Sequence, residues 1–250
     1  MTHSVLDLFA GIGGFSLGLD RSGGFDTVAF CEICPKARKV LSKHWPNVKQ
    51  YTDIRELTGE QLKKDGIEVD VITGGFPCQD ISCAGKAKGI LAERSGLWSE
   101  MFRLIRDVRP AWAIIENVSA LRSKGLTLVL QNLCEIGYCA EWHCIPSSAI
   151  GAPHQRDRIW ILAHPNSEGL QGHSETLERP SQVRTQKETR LLSCLSRSDF
   201  WAVESNVGRV AHGIPNRVDR LKQLGNSVVP QIPELLGYAI LECERANGKQ

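Results

Sequence analysis

A chain of 250 residues, 42% hydrophobic and 23% charged, is long enough to bury one large core and has the makeup of a globular protein. A formal net charge of +2 excludes a protein that coats polyanions through its overall field, so a nucleic-acid role would need a local basic surface. Nine scattered cysteines and the absence of a leader pattern before the first strand predict a reduced, cytoplasmic chain, and no apolar run approaches the ~20 residues that a membrane span needs.

The predicted elements alternate strand and helix. Val5-Leu6-Asp7-Leu8-Phe9 reads as a strand that breaks at Gly11, and Phe15 to Leu19 continues as a helix. Thr27 to Cys31 is the next strand, and Pro35 opens a helix carrying Ala37, Val40 and Leu41 at helical spacing. Val48 to Thr52 leads to Asp53, and Val69 to Thr73 is a short buried strand. Leu97 to Val108 is amphipathic, with Leu97, Met101, Leu104, Ile105 and Val108 on one face. Ala111 to Ile115 is a buried strand, Leu126 to Ile136 a helix and Arg158 to Leu162 a late strand. Composition turns polar after His164, order returns at Val218, and residues 231 to 246 read as a closing helix. This alternation predicts an α/β fold, with a mostly parallel sheet covered by helices on both faces.

Several polar residues fall where predicted strands end: Asp7 with the Gly11 loop, Glu32, Asp53, Cys78 and Glu116-Asn117. In open α/β sheets the carboxyl edge is where ligands bind. Asp7 to Phe15 forms a glycine-rich strand-to-helix turn, but a dinucleotide fingerprint would want a third glycine where Ser16 stands. A nucleoside without pyrophosphate needs only close backbone approach, and Glu32, about 20 residues on, suits two ribose hydroxyls. Asp53 reads equally well as an N-cap for the residues that follow. Cys78 sits in Gly74-Gly75-Phe76-Pro77-Cys78-Gln79, at the mouth of a turn leaving a strand, where a thiol can be a nucleophile or a small buried hydrophobe. Cys31-x-x-Cys34 has no second pair of matching spacing, so no metal site is expected.

With these motifs in order, the chain resembles the DNA (cytosine-5) methyltransferases of phage and bacterial type, from residue 4 to about residue 240. Asp7 to Leu19 resembles the family's cofactor loop, Gly74 to Ser82 its nucleophile loop and Glu116-Asn117-Val118 its acid motif. Gln155-Arg156-Asp157-Arg158 resembles its base-contacting arginine motif and Gly225 to Pro230 its closing motif. The resemblance implies a Rossmann-like methyltransferase fold over 1–164, a short target-recognition region over 165–206 and a returning segment over 207–250. It implies S-adenosylmethionine as cofactor, lined by Asp7, Phe9, Gly11, Gly13, Gly14, Glu32, Ile33, Asp53, Ile54, Pro77, Leu97, Asn226 and Val228. It implies Cys78 as nucleophile toward a cytosine flipped out of duplex DNA, Glu116 at the ring N3, Arg158 at the carbonyl oxygen and Arg156 bracing it. Contacts to DNA would come from Gln79, Ser82, Lys86, Lys88, Arg94, Gln155, Arg209 and Arg217.

Two departures matter. Cys34 stands where the family commonly has an acid, and residues 165 to 200 are short, with Arg179, Arg184, Lys187, Arg190 and Arg197 balanced by Glu168, Glu175, Glu178, Glu188 and Asp199. Arg156 and Arg158 also read as surface charges on an edge strand, and the basic loop after Cys78 as an ordinary solvated loop. An RNA substrate and an inactive relic that binds DNA or cofactor stay open as rival functions. A nicotinamide oxidoreductase is disfavoured by Ser16 and by the lack of a second substrate domain. The expected context is a monomeric methylase for restriction–modification or phage self-protection, with any partner endonuclease encoded separately.

Overall fold

A computed structural model describes residues 2–77, 96–166, 224–246 and 248. The order is β1 (His3–Leu8), α1 (Gly14–Ser22), β2 (Phe25–Cys31), α2 (Pro35–His44), β3 (Lys49–Tyr51), α3 (Gly59–Lys64) and β4 (Val71–Gly75). It continues with α4 (Gly96–Val108), β5 (Trp112–Val118), α5 (Leu121–Lys124), α6 (Leu126–Glu135), β6 (Tyr138–Pro146), β7 (Asp157–Pro165) and α7 (Gln231–Ala246). The seven strands form one sheet in the order β3-β2-β1-β4-β5-β7-β6. The pairs within β3-β2-β1-β4-β5 are parallel, whereas β7 runs antiparallel to both β5 and β6.

Each central strand is buried on both faces, and its side chains alternate between two cores. Leu6, Leu8, Ile72, Ala113 and Ile115 face one way, packing with Leu62 of α3, Met101, Leu104 and Ile105 of α4, and Val129 and Leu133 of α6. Val5, Val71, Ile114 and Trp160 face the other way, with Phe15 and Leu19 of α1 and Ile232 and Ile240 of α7. Leu6, Leu8, Leu19, Ile72 and Ile114 have no exposed surface, and each such side chain contributes about 1.5–3 kcal/mol by leaving water.

The closing helix α7 returns to α1 through small residues. A methyl group on Gly18 would lie 2.2 Å from the Pro230 carbonyl oxygen and 2.8 Å from Pro233 Cβ, and one on Gly237 would lie 2.5 Å from Ser22 Oγ. Pro233 falls in the first turn of α7, where its missing N–H costs nothing.

Four features differ from the sequence reading. Phe9 does not extend β1 but takes a left-handed conformation at φ 53°, which turns the chain into the glycine loop. β4 runs on through Gly74 and Gly75, because Leu8 and Glu116 on the flanking strands pair with them. β6 is an additional edge strand. Its middle residues, Glu141 to Cys144, are exposed, so its sequence lacks the apolar alternation that marks a half-buried strand. Helices α3 and α5 are short and were also not apparent.

Candidate active site

The carboxyl ends of β1, β2, β3, β4 and β5 share one rim, and the antiparallel β7 delivers its amino end to the same place. Arg158 of β7 lies opposite Val118 of β5 in the register. This brings the arginine pair to the acid motif, although the two are far apart in sequence.

Asp7 is fully buried. Its Oδ1 accepts from Thr73 Oγ1 on β4 and its Oδ2 from Ser16 Oγ on α1, each at 2.9 Å. The Ser16 backbone N–H also donates to it, so Asp7 caps α1 and ties β1, β4 and α1 together. Burial, opposed by these donors and reinforced by the nearby Glu32 charge, pushes its carboxyl up to about 7. Both of its oxygens are turned inward, so Asp7 shapes the loop from behind.

The glycines of the loop have separate reasons. Gly11 has φ 55°, and among the described residues a methyl group there would meet nothing closer than the Phe9 carbonyl at 4.0 Å, so its outer side is open to them. Gly13 has φ 85°, and its methyl would strike the Trp45 ring at 2.6 Å. Gly14 is backed by the Val228 carbonyl at 2.7 Å. Gly13, Gly14 and Val228 thus serve the packing of the loop, and Gly11 leaves room for a ligand.

Glu32 faces the loop. Its Oε2 accepts from the Gly11 N–H and its Oε1 from the Cys34 N–H, both at 2.7 Å. Each oxygen keeps a further lone pair for a hydroxyl donor. The Cys34 backbone supplies a bond to Glu32 even though its side chain is not acidic. Ile33, beside it, is 64% exposed, a large apolar surface at the rim. Asp53 is engaged locally: its carboxylate accepts from the backbone and guanidinium of Arg55, which hold it below the usual carboxylate range. Ile54 sends its side chain into the core at 4% exposure, leaving only its backbone for a ligand. Leu97, at the start of α4, packs partly buried against the core, and Pro77 is exposed.

Glu116 and Arg158 form an ion pair, with Nε 2.8 Å from Oε1. Burial raises the Glu116 carboxyl, while Arg158 and Arg156 oppose the shift. A methyl group on Gly75 would lie 2.8 Å from Glu116 Oε2, so the second glycine before the cysteine makes room for this carboxylate. Arg156 donates to the carbonyls of Gly225 and Ser227, the latter at 3.0 Å, and so grips the backbone on both sides of exposed Asn226. Gln155 is exposed next to it.

The sequence places Asn117 with Glu116 at a strand end and in the acid motif, but assigns no role to it. It is buried, and its amide donates to the Phe76 carbonyl at 3.0 Å, fixing the chain just before Pro77. A polar side chain closing an apolar strand is the signal that marks it in the sequence, but the bond to Phe76 is not legible there. Cys78, Gln79, Ser82, Lys86, Lys88, Arg94, Arg209 and Arg217 lie outside the described residues, as does the recognition stretch beyond Asn166; Pro165, at its start, ends β7. Among the described residues no three His, Cys, Asp or Glu could hold a metal ion, and no helix is long and apolar enough to cross a membrane.

A family model of the C-5 cytosine-specific DNA methylases matches residues 3–212. The chain belongs to this family. It is 40% identical over 167 residues to the Type II methyltransferase M2.BsuMI of Bacillus subtilis, covering 64% of this chain and 41% of that protein. It is 36% identical over 164 residues to M.CviJI of a Paramecium bursaria Chlorella virus, covering 65% and 43%. The chain therefore spans less than half the length of these relatives. A DNA modification methyltransferase structure from an E. coli prophage superposes at TM-score 0.56 with 27% identity, covering 66% of this chain and 47% of that one. An Entamoeba histolytica methyltransferase, 16% identical, shares the fold at TM-score 0.62 and covers 94% and 97%.

Proposed function

We propose that this methylase-family protein transfers a methyl group from S-adenosylmethionine to carbon 5 of a flipped-out cytosine in duplex DNA, through a covalent bond between Cys78 and carbon 6. The observation that carries the reading is the Glu116–Arg158 pair, held at the rim where the chain leads through Phe76 and Pro77 into Cys78.

The residues present suit the cofactor. Glu32 would take the ribose hydroxyls, Ile33 and the Asp53–Ile54 backbone would border the adenine, and the open side of Gly11 would admit the rest. Phe9, Pro77, Leu97 and Asn226 would complete the walls. When bound, S-adenosylmethionine supplies an electrophilic methyl group to a carbon that has been made nucleophilic.

The protein's part is that activation. The Cys78 thiolate forms a bond to carbon 6, and the ring's electron pair moves to carbon 5. Glu116 stabilises this by holding the proton at N3; its raised carboxyl suits that task. Arg158 serves both Glu116 and the cytosine carbonyl oxygen. Once carbon 5 is methylated, its proton passes to solvent, the C5–H electron pair re-forms the double bond, and the Cys78–carbon 6 bond breaks to return the thiolate. Arg156, bound to the Gly225 and Ser227 carbonyls, acts as a brace rather than as a contact to the base.

The names of the relatives support a Type II modification role, so the proposed setting is restriction–modification or phage self-protection, with any nuclease encoded separately. Recognition would fall to residues 165–206, the returning segment to 207–250 and the backbone contacts to the basic loop after Cys78. The test is trapping on random-sequence duplexes containing 5-fluorocytosine, whose fluorine blocks the final proton loss. With S-adenosylmethionine, the protein should give a complex that survives denaturing electrophoresis, and Cys78→Ser should give none. An equal yield from Cys78→Ser would overturn the mechanism.

A further inference from the structure

Arg103 lies on α4, within two turns of Leu97, and takes no part in the site as described so far. Its guanidinium reaches across to the turn that follows β3. Nη2 donates to the carbonyl oxygens of Ile54 and Leu57, both at 2.9 Å, and Nε donates to Glu100 Oε2 at 2.8 Å. Glu100, one helical turn back, holds the fork in orientation. The arginine side chain is 24% exposed and Glu100 26% exposed, so the bonds are partly shielded from water and strengthened by charge.

The turn has its own anchors. Ile54 and Leu57 bury their side chains in the core, the N–H groups of Glu56 and Leu57 donate to the Asp53 carbonyl, and Thr58 caps α3. Arg103 adds the orientation of the two peptide carbonyls, and hence the tilt of the Asp53–Ile54 backbone at the rim. It also joins that turn to α4.

We propose that Arg103 is a positioning residue for the cofactor, acting through the Asp53–Leu57 turn. This rests on the cofactor assignment above. A lysine cannot replace it, since one ammonium cannot span two carbonyls and Glu100 in a fixed plane.

The experiment compares the full chain with Arg103→Lys and Arg103→Met. It measures the Kd for S-adenosylmethionine by calorimetry, turnover at saturating cofactor, and the unfolding midpoint. Arg103→Met should weaken cofactor binding about tenfold, with Arg103→Lys between it and the parent and saturated turnover held within about twofold. A merely structural role would lower the midpoint and leave the Kd of the folded protein unchanged. Binding as tight as the parent's, a loss confined to turnover, or failure of both variants to fold would each overturn the proposal. If the parent protein itself does not bind S-adenosylmethionine, the cofactor assignment falls first; equal binding by all three removes only the role of Arg103.

Discussion

Replacing Asp7 by Asn should remove the pH dependence of stability that arises at this position. The Asp7 carboxyl is raised from 3.8 to about 7, chiefly by burial. Because the folded value lies above the unfolded one, the fold holds this proton more tightly than the unfolded chain does. That stabilisation is complete below about pH 4 and is lost as pH rises through about 7. A shift of about three units at about 1.36 kcal/mol each amounts to about 4 kcal/mol. Asn matches the protonated acid in shape: its oxygen can accept from Ser16, and its amide can donate to Thr73 Oγ1, whose hydroxyl rotates. The assay is urea unfolding of both proteins from pH 4.5 to 8.5, read as the difference in unfolding free energy. Glu116 and Asp20, also raised, are common to both proteins and largely cancel. The Asn variant should gain on the parent by about 3 kcal/mol as pH rises from about 4.5 to about 7, and the difference should level off above that. A flat difference, or one moving the other way, would refute the reasoning, because it would mean that the donors around Asp7 outweigh its burial.

Glu116→Gln should leave the fold and cofactor affinity intact, since Arg158 can still donate to the amide oxygen, while single-turnover methyl transfer slows by about 10²–10⁴. Asn117→Ala releases the Phe76 carbonyl and should cost about 1–3 kcal/mol in urea unfolding while lowering turnover with little change in cofactor Kd. Gly18→Ala forces a methyl group against the Pro230 carbonyl and should destabilise by about 1–3 kcal/mol or more. Gly96→Ala, with nothing within 4 Å among the described residues, is its control in the same assay.

The buried strands and the long helices were legible because their side chains repeat with a clear period. Leu97, Met101, Leu104 and Ile105 announce α4, and α7 starts and stops where its sequence says. What escaped depended on neighbours far along the chain. β6 is held by backbone pairing with β7, which an exposed stretch such as Glu141 to Cys144 does not advertise. The candidate site followed the same division. Glu32, Glu116 and Arg158 stand at strand ends and could be picked from sequence. The inward turn of Asp7 could not be, since it depends on Thr73 of a strand 66 residues away. Nor could the packing duty of Gly14 against Val228, or the grip of Arg156 on the Gly225–Ser227 backbone.

The most direct test of the central claim is transfer of labelled methyl groups from S-adenosylmethionine to unmethylated duplex DNA by the purified protein, followed by conversion sequencing of the product. The account predicts label in DNA, carried on carbon 5 of cytosines within one short repeated word. A protein that binds the cofactor but leaves every cytosine in the duplex unmethylated would contradict it.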